Sequence, residues 1–297
     1  MQTPWSLFDK RWNLAPMPPA NEPIFLLGAV WRSGTTLVQR LLSSTGEALL
    51  WGEPYGDAGL IPSVMRSASV LLRKDWPMKG HYPRYYDAEK SVRFFQRPQD
   101  YWMANLYPEP DVIRQSFRSM LDTFLQQPAK KHNRERFGLK EIRLDGECAK
   151  FLHWLYPDAR FVFLVRNPWK AWSSYKGADW YFQWPDVKVE NVMVFSKLWL
   201  RNMKTFLAWK DDPSAMFLRF EDIFDQGKTI SALEEHCRLT NVERSVLSVR
   251  IRGMLKPPLP PSSAELDVIT RICGPLAKKF GYTGINKIGP SSFLNGG

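Results

Sequence analysis

Two stretches of this chain gather residue types that bind oxyanions. The first is "GAVWRSGTTLVQRLLSS" at 28–44. Backbone N–H groups at a helix N-terminus bind anions. Here Arg32, Ser33, Thr35 and Thr36 would add side-chain donors around such a terminus, with Gly34 at the turn. The ATP-binding loop G-x-x-x-x-G-K-[ST] places a lysine before its last hydroxyl, for the β and γ phosphates. Thr35 fills that slot here. Ser and Thr also cap helices, so the loop alone does not choose between a cap and a phosphate cradle. The second stretch is "FVFLVRNPWKAWSS" at 161–174, with Arg166 just past an apolar run and Ser174 eight residues later. Outside this context, such an arginine reads as a salt-bridged surface residue.

Positioning these groups falls to alternating strands and helices. Short apolar runs bounded by turn residues read as buried strands: 22–30, 47–54, 136–144, 159–168 and 215–223. Apolar residues at helical spacing follow the first loop at positions 37, 38, 41 and 42. Further helices are expected over 57–75, 88–127, 146–157, from 169 onward, over 189–210 and through most of 229–283, with a proline break at "KPPLPP". This alternation predicts a three-layer α/β/α, P-loop-like fold with a mainly parallel sheet. Ligands of such sheets sit beyond the carboxyl ends of the strands, where three of the polar clusters fall. Residues 1–22 read as an irregular, proline-bearing surface arm, and the 297 residues as one domain.

Composition narrows the class. The chain is 44% apolar and 24% charged, as folded proteins are. Its apolar runs fall short of the ~20 residues a membrane helix needs, and "MQTPWSLFDKRWNLAP" has no apolar signal core. The expectation is a cytoplasmic protein without membrane association. Cys148, Cys237 and Cys273 are far apart and fit buried free thiols. His132, His153 and His236 show no metal spacing. The net charge of +11 favours anionic ligands. Because no nucleic-acid motif accompanies it, a pocket for a charged nucleotide is the better use of that charge.

The two anion stretches together resemble the PAPS-dependent sulfotransferase family (PAPS is 3′-phosphoadenosine-5′-phosphosulfate), in its bacterial or tyrosylprotein-like branch. That family's 5′-phosphosulfate loop has the form [RK]-S-G-T-T-x-[LVW], and this chain reads "RSGTTLV". Its 3′-phosphate motif is a strand ending in R-[DN]-P with Ser eight residues after the Arg; this chain reads "RNPWKAWSS". "FEDI" at 220–223 and "ICGPLAKKFGY" at 272–282 are similar to later family motifs. The resemblance spans about 22–283, in order. It implies PAPS as donor, PAP as product and no metal. A donor with no γ phosphate explains the missing lysine. Arg32, Ser33, Gly34, Thr35 and Thr36 would then hold the phosphosulfate, and Arg166 and Ser174 the 3′ phosphate.

Sulfuryl transfer needs a base for the acceptor and positive charge for the leaving phosphate. Glu53 in "WGEPYG" stands 21 residues after Arg32, matching the spacing at which tyrosylprotein-type relatives place their base. A partly buried Glu with a raised pKa would suit that task. His81 in "KGHYPRYY" is the rival. The resemblance puts Lys140 of "FGLKEIR" near the leaving phosphate, with Arg143 a weaker candidate and Arg32 as the loop cation. Two departures stand out. Phe220 replaces a Tyr, and "IRG" at 251–253 only partly echoes an R-K-G motif, leaving Arg252 as an uncertain 3′-phosphate contact. The aromatic clusters at 81–87 and 179–186, with Asp57, Asp179 and Asp186 nearby, could line a site for an aromatic, sugar-like or cationic small molecule. The expected activity is transfer to a hydroxyl or amine of a small-molecule acceptor, by a monomer or homodimer. The alternatives are a P-loop-type kinase and a non-catalytic nucleotide-binding protein on the same fold.

Overall fold

The apolar runs form the centre of the fold in the computed structural model, which describes residues 3–54, 58–73, 96–97, 99, 108–178, 183–184, 187–225, 227–249, 257–286 and 288–289. Five runs are strands: β1 Ile24–Gly28, β2 Ala48–Trp51, β3 Arg136–Glu141, β4 Arg160–Val165 and β5 Ala215–Arg219. They make a wholly parallel sheet in the order β2-β3-β1-β4-β5. β1 is central, with Ile24 in register with Gly138 of β3 and Arg160 of β4.

Successive side chains of a strand face opposite sides, and both sides are covered. Phe25, Leu27, Phe137, Phe161 and Phe163 pack with the helices Gly146–Leu155, Val192–Phe206 and Ser263–Ala277. Ile24, Leu26, Val162 and Leu164 pack with Thr35–Ser43 and Lys228–Cys237. The expected three-layer α/β/α fold is therefore present. Each fully buried Leu or Phe contributes roughly 1.5–3 kcal/mol over exposure, so the strand ends are rigid mounts for whatever follows them. Cys148, Cys237 and Cys273 are buried and free, as expected.

Three local expectations change. The arm at 1–22 is not wholly irregular, because Pro4–Trp12 is a helix. Thr3 and Ser6 form a capping box around it, and its proline sits in the first turn, where a missing N–H costs nothing. Trp5 stacks on Trp154 at 4.8 Å, and Asp9 pairs with the buried Arg114 at 3.1 Å. The helix expected to end near 127 runs from Pro110 to Lys131 through a wide π turn at Asp122–Gln126. Pro128, one residue beyond the next turn's start, has no N–H to donate backward, and the widened turn accommodates it. β5 stops at Arg219, and Phe220–Phe224 is a 3₁₀ turn. Arg219 grips Asp222 with two bonds of 2.6 and 2.8 Å, which folds the chain back on itself.

Candidate active site

β1 ends at Gly28, and the loop after it is closed from within. Ser33 Oγ donates to the Val30 carbonyl at 2.5 Å and accepts from Val30 N at 3.3 Å. Ser33 is fully buried, so its hydroxyl serves the closure of the loop itself. Arg32 and Gly34 both adopt left-handed backbone, at φ 65° and 92°. Gly34 is the N-cap of the helix Thr35–Ser43, and no side chain caps that helix. The hydroxyls expected to compete as caps are thus not caps, and the helix presents its first-turn N–H groups without a side-chain partner. Thr35 is buried and Thr36 exposed.

Arg166 follows β4 and closes on this loop. Its Nη1 donates to the Arg32 carbonyl at 2.6 Å, while Arg32 Nε donates to Ser174 Oγ at 3.0 Å. The two anion motifs are therefore one cluster. Phe220, at the end of β5, lies beneath it. The Arg166 guanidinium stands 4.6 Å from the ring centroid, and a Cβ on Gly34 would come within 2.1 Å of the same ring. The position expected only to lose a tyrosine hydroxyl carries instead an aromatic floor for both motifs. Burial lowers the pKa of both arginines, and for Arg166 nearby Arg32 adds to the effect. Among the described residues neither arginine has a carboxylate within salt-bridge distance, and Arg166 Nε is buried without a partner. The charge of the neighbouring Glu221 opposes that lowering at Arg166, but its oxygens bond elsewhere: Asn167 N donates to one at 3.2 Å, and the Tyr282 hydroxyl to the other at 2.6 Å. Asn167 also caps the helix Pro168–Lys176 through its side chain.

The other half of the cluster hangs from β2 and β3. Glu53 follows β2, and its two oxygens are taken by two cations. Lys140 Nζ bonds Oε1, and Arg143 Nη1 bonds Oε2 at 2.6 Å. Lys140, which the sequence places near a leaving phosphate, thus engages the carboxylate in this structure. Arg143 also faces Glu141 at 3.6 Å and lies 5.4 Å over the ring of Trp31, the residue before the loop arginine. Glu141 Oε1 accepts from the backbone N–H of Ile142 at 2.8 Å and of Arg143 at 3.1 Å. Burial, and after it the charge of Glu53, pushes the Glu141 carboxyl up to about 7. Sequence reasoning passed over Trp31, Glu141, Asn167, Glu221 and Tyr282. The N-P pair after Arg166 was the one available signal, as an N-cap ahead of a helix-starting proline.

His81, Arg252, Asp57, Asp179 and Asp186, with the side chains of the two aromatic clusters, lie outside the described residues. Among the described residues no group of three or more His, Cys, Asp or Glu could hold a metal, and no helix is long and apolar enough to cross a membrane.

A parallel α/β sheet with a glycine-capped loop and helix at its carboxyl edge defines the structural class. The sulfotransferase family model matches residues 23–243, and the chain belongs to that family. Comparison with curated proteins finds no match. Among solved structures, the sulfotransferase domain of the Synechococcus PCC 7002 olefin synthase is 14% identical, with 89% of this chain and 98% of that one covered and a TM-score of 0.47. The sulfotransferase domain from the curacin biosynthetic pathway is 16% identical, with coverage of 88% and 98% and a TM-score of 0.44. A mouse sulfotransferase complexed with PAP is 10% identical, with coverage of 90% and 78% and a TM-score of 0.37.

Proposed function

We propose that this sulfotransferase moves a sulfuryl group from PAPS to a hydroxyl, or less readily an amine, of a small-molecule acceptor, with Glu53 as general base. One observation carries the reading. Arg32 and Arg166 are joined by a hydrogen bond, half-buried, and without a carboxylate partner among the described residues. Leaving a cation partly buried and unpaired costs free energy, and a bound anion removes that cost.

The residues fit a donor with two separate phosphate ends. The uncapped amides at 33–36, the Thr36 hydroxyl and Arg32 would hold the 5′ end. Arg166 and Ser174 would hold the 3′ phosphate, with Phe220 beneath. Bound there, PAPS supplies a sulfuryl group open to in-line displacement. Arg32 and the helix terminus offer fixed positive charge to the departing phosphate oxygen. Glu53 takes the acceptor's proton, and its side chain keeps 23% exposure, enough for a substrate oxygen to reach it. Lys140 and Arg143 hold that carboxylate in place, which gives the base a fixed orientation before an acceptor arrives.

The test is a calorimetric titration with 3′,5′-adenosine bisphosphate, 5′-AMP and ATP, without magnesium. Micromolar affinity for the bisphosphate with much weaker AMP and ATP is expected. A preference for ATP, or binding that requires magnesium, would return the loop to a kinase.

A further inference from the structure

Arg143 is shared between two carboxylates, and the two are unequal. It stands 2.6 Å from Glu53 and 3.6 Å from Glu141. Glu53 keeps partial exposure, whereas Glu141 is 4% exposed and is fixed by the N–H groups of Ile142 and Arg143. The strand beside it, β1, sets Leu27 in register with Glu141 and offers no charge there. The charged groups that act on the Glu141 carboxyl are Glu53 and Arg143. The guanidinium also lies 5.4 Å over the Trp31 ring. A charge on Glu141 therefore reaches Glu53 in two ways: directly, as a neighbouring negative charge, and through Arg143, which it draws toward itself.

We infer that Glu141 is a positioning residue for the transfer, acting through Arg143 to set how tightly the Glu53 carboxylate is held and how readily it takes a proton. Neutral Glu141 leaves the Arg143 contact with Glu53 uncontested. Ionised Glu141 competes for the guanidinium and loosens that contact, while Lys140 keeps its own bond to Glu53. This rests on Glu53 being the base. Burial puts the change near pH 7, so the relay would switch within the ordinary working range.

The experiment is a pH titration from 5 to 9 of the full chain carrying ¹³C at the glutamate side-chain carboxyls, followed by NMR without donor or acceptor. Glu141 is expected to titrate near pH 7, and the Glu53 carboxyl carbon to show an inflection at the same pH. Glu141→Gln keeps an oxygen for both backbone N–H groups and should abolish the Glu53 inflection. Arg143→Gln should at least halve it. A Glu53 resonance with no inflection between pH 6 and 8 in the wild-type chain overturns the relay, whether or not the variants fold. So does an inflection that survives in Glu141→Gln. A purely structural role for Glu141 would not move the Glu53 signal at that pH. The titration needs no turnover, so it is separable from the base assignment: turnover unaffected by Glu53→Gln would remove the base, and with it the relay's purpose, while leaving the measured coupling in place.

Discussion

The two halves of the sheet's carboxyl edge handle positive charge in opposite ways. On the β4–β5 side, Arg32 and Arg166 are propped by a carbonyl, a hydroxyl and an aromatic ring, and among the described residues no carboxylate comes within salt-bridge distance of them, Glu221 acting on Arg166 only from further off. On the β2–β3 side, Lys140 and Arg143 are both committed to Glu53, and Arg143 to Glu141 as well. The loop after β1 lies between them, because β1 is the middle strand. In the proposed reaction the first pair would receive an external anion and the second would hold an internal one in place. The same residue types would then serve binding on one side and orientation on the other, and only their partners tell the two arrangements apart.

The sharpest way to break this contrast is Glu53→Gln. Turnover should fall by ~10²–10⁴-fold, the usual weight of a general base, while affinity for the 3′,5′-bisphosphate stays nearly unchanged in calorimetry. A matching loss of affinity would mean that the two halves are not separate. Next in size is a pH effect on stability. A buried carboxyl raised to about 7 favours its protonated form, so its contribution is full below the ordinary carboxylate range and is lost as pH rises through 7. Thermal unfolding should show stability declining between about pH 5 and 7.5, by up to about 3 kcal/mol, and Glu141→Gln should flatten that slope. An unchanged slope in the variant would place the titrating group elsewhere.

Arg166→Ala probes the unpaired half. Charged hydrogen bonds contribute about 1.5–3 kcal/mol, so the bisphosphate should bind ~10–100-fold more weakly, with 5′-AMP little affected. Equal losses for both ligands would unseat Arg166 from the 3′ phosphate. The smallest effect is expected from Phe220→Leu, which removes the ring under Arg166. A cation–π contact is worth about 0.5–2 kcal/mol, giving a several-fold loss of bisphosphate affinity and no change in how turnover responds to Glu53→Gln.

Much of this arrangement was legible in the sequence, for a physical reason. Buried parallel strands are continuous apolar runs, so "IFLLG" and "RFVFLV" announce themselves, and the loops that follow inherit a known direction. Arg32, Gly34, Arg166 and Ser174 could be named because the resemblance to the sulfotransferase motifs fixes their steps from such strands. Strand order is another matter. Nothing in the apolar pattern says that β2 lies beside β3, yet that adjacency alone brings Glu53 to Lys140 and Arg143. Glu141 drew no notice for the same reason. Phe220 was legible as a missing hydroxyl and not as a floor, because its partners Gly34 and Arg166 come from two other strands' loops. The helix Pro4–Trp12 was hidden by its proline, which breaks helices everywhere except in the first turn, where it stands.

The central place of β1 has a consequence during synthesis. β1 is made before both of its neighbours, and β3 and β4 follow only after a long intervening stretch. Until then the apolar run at 24–27 has no sheet to join, and long-range parallel pairing forms slowly. A nascent chain paused before β4 would expose its most buried strand, which makes that interval the one in which a chaperone has most to cover and aggregation most to gain.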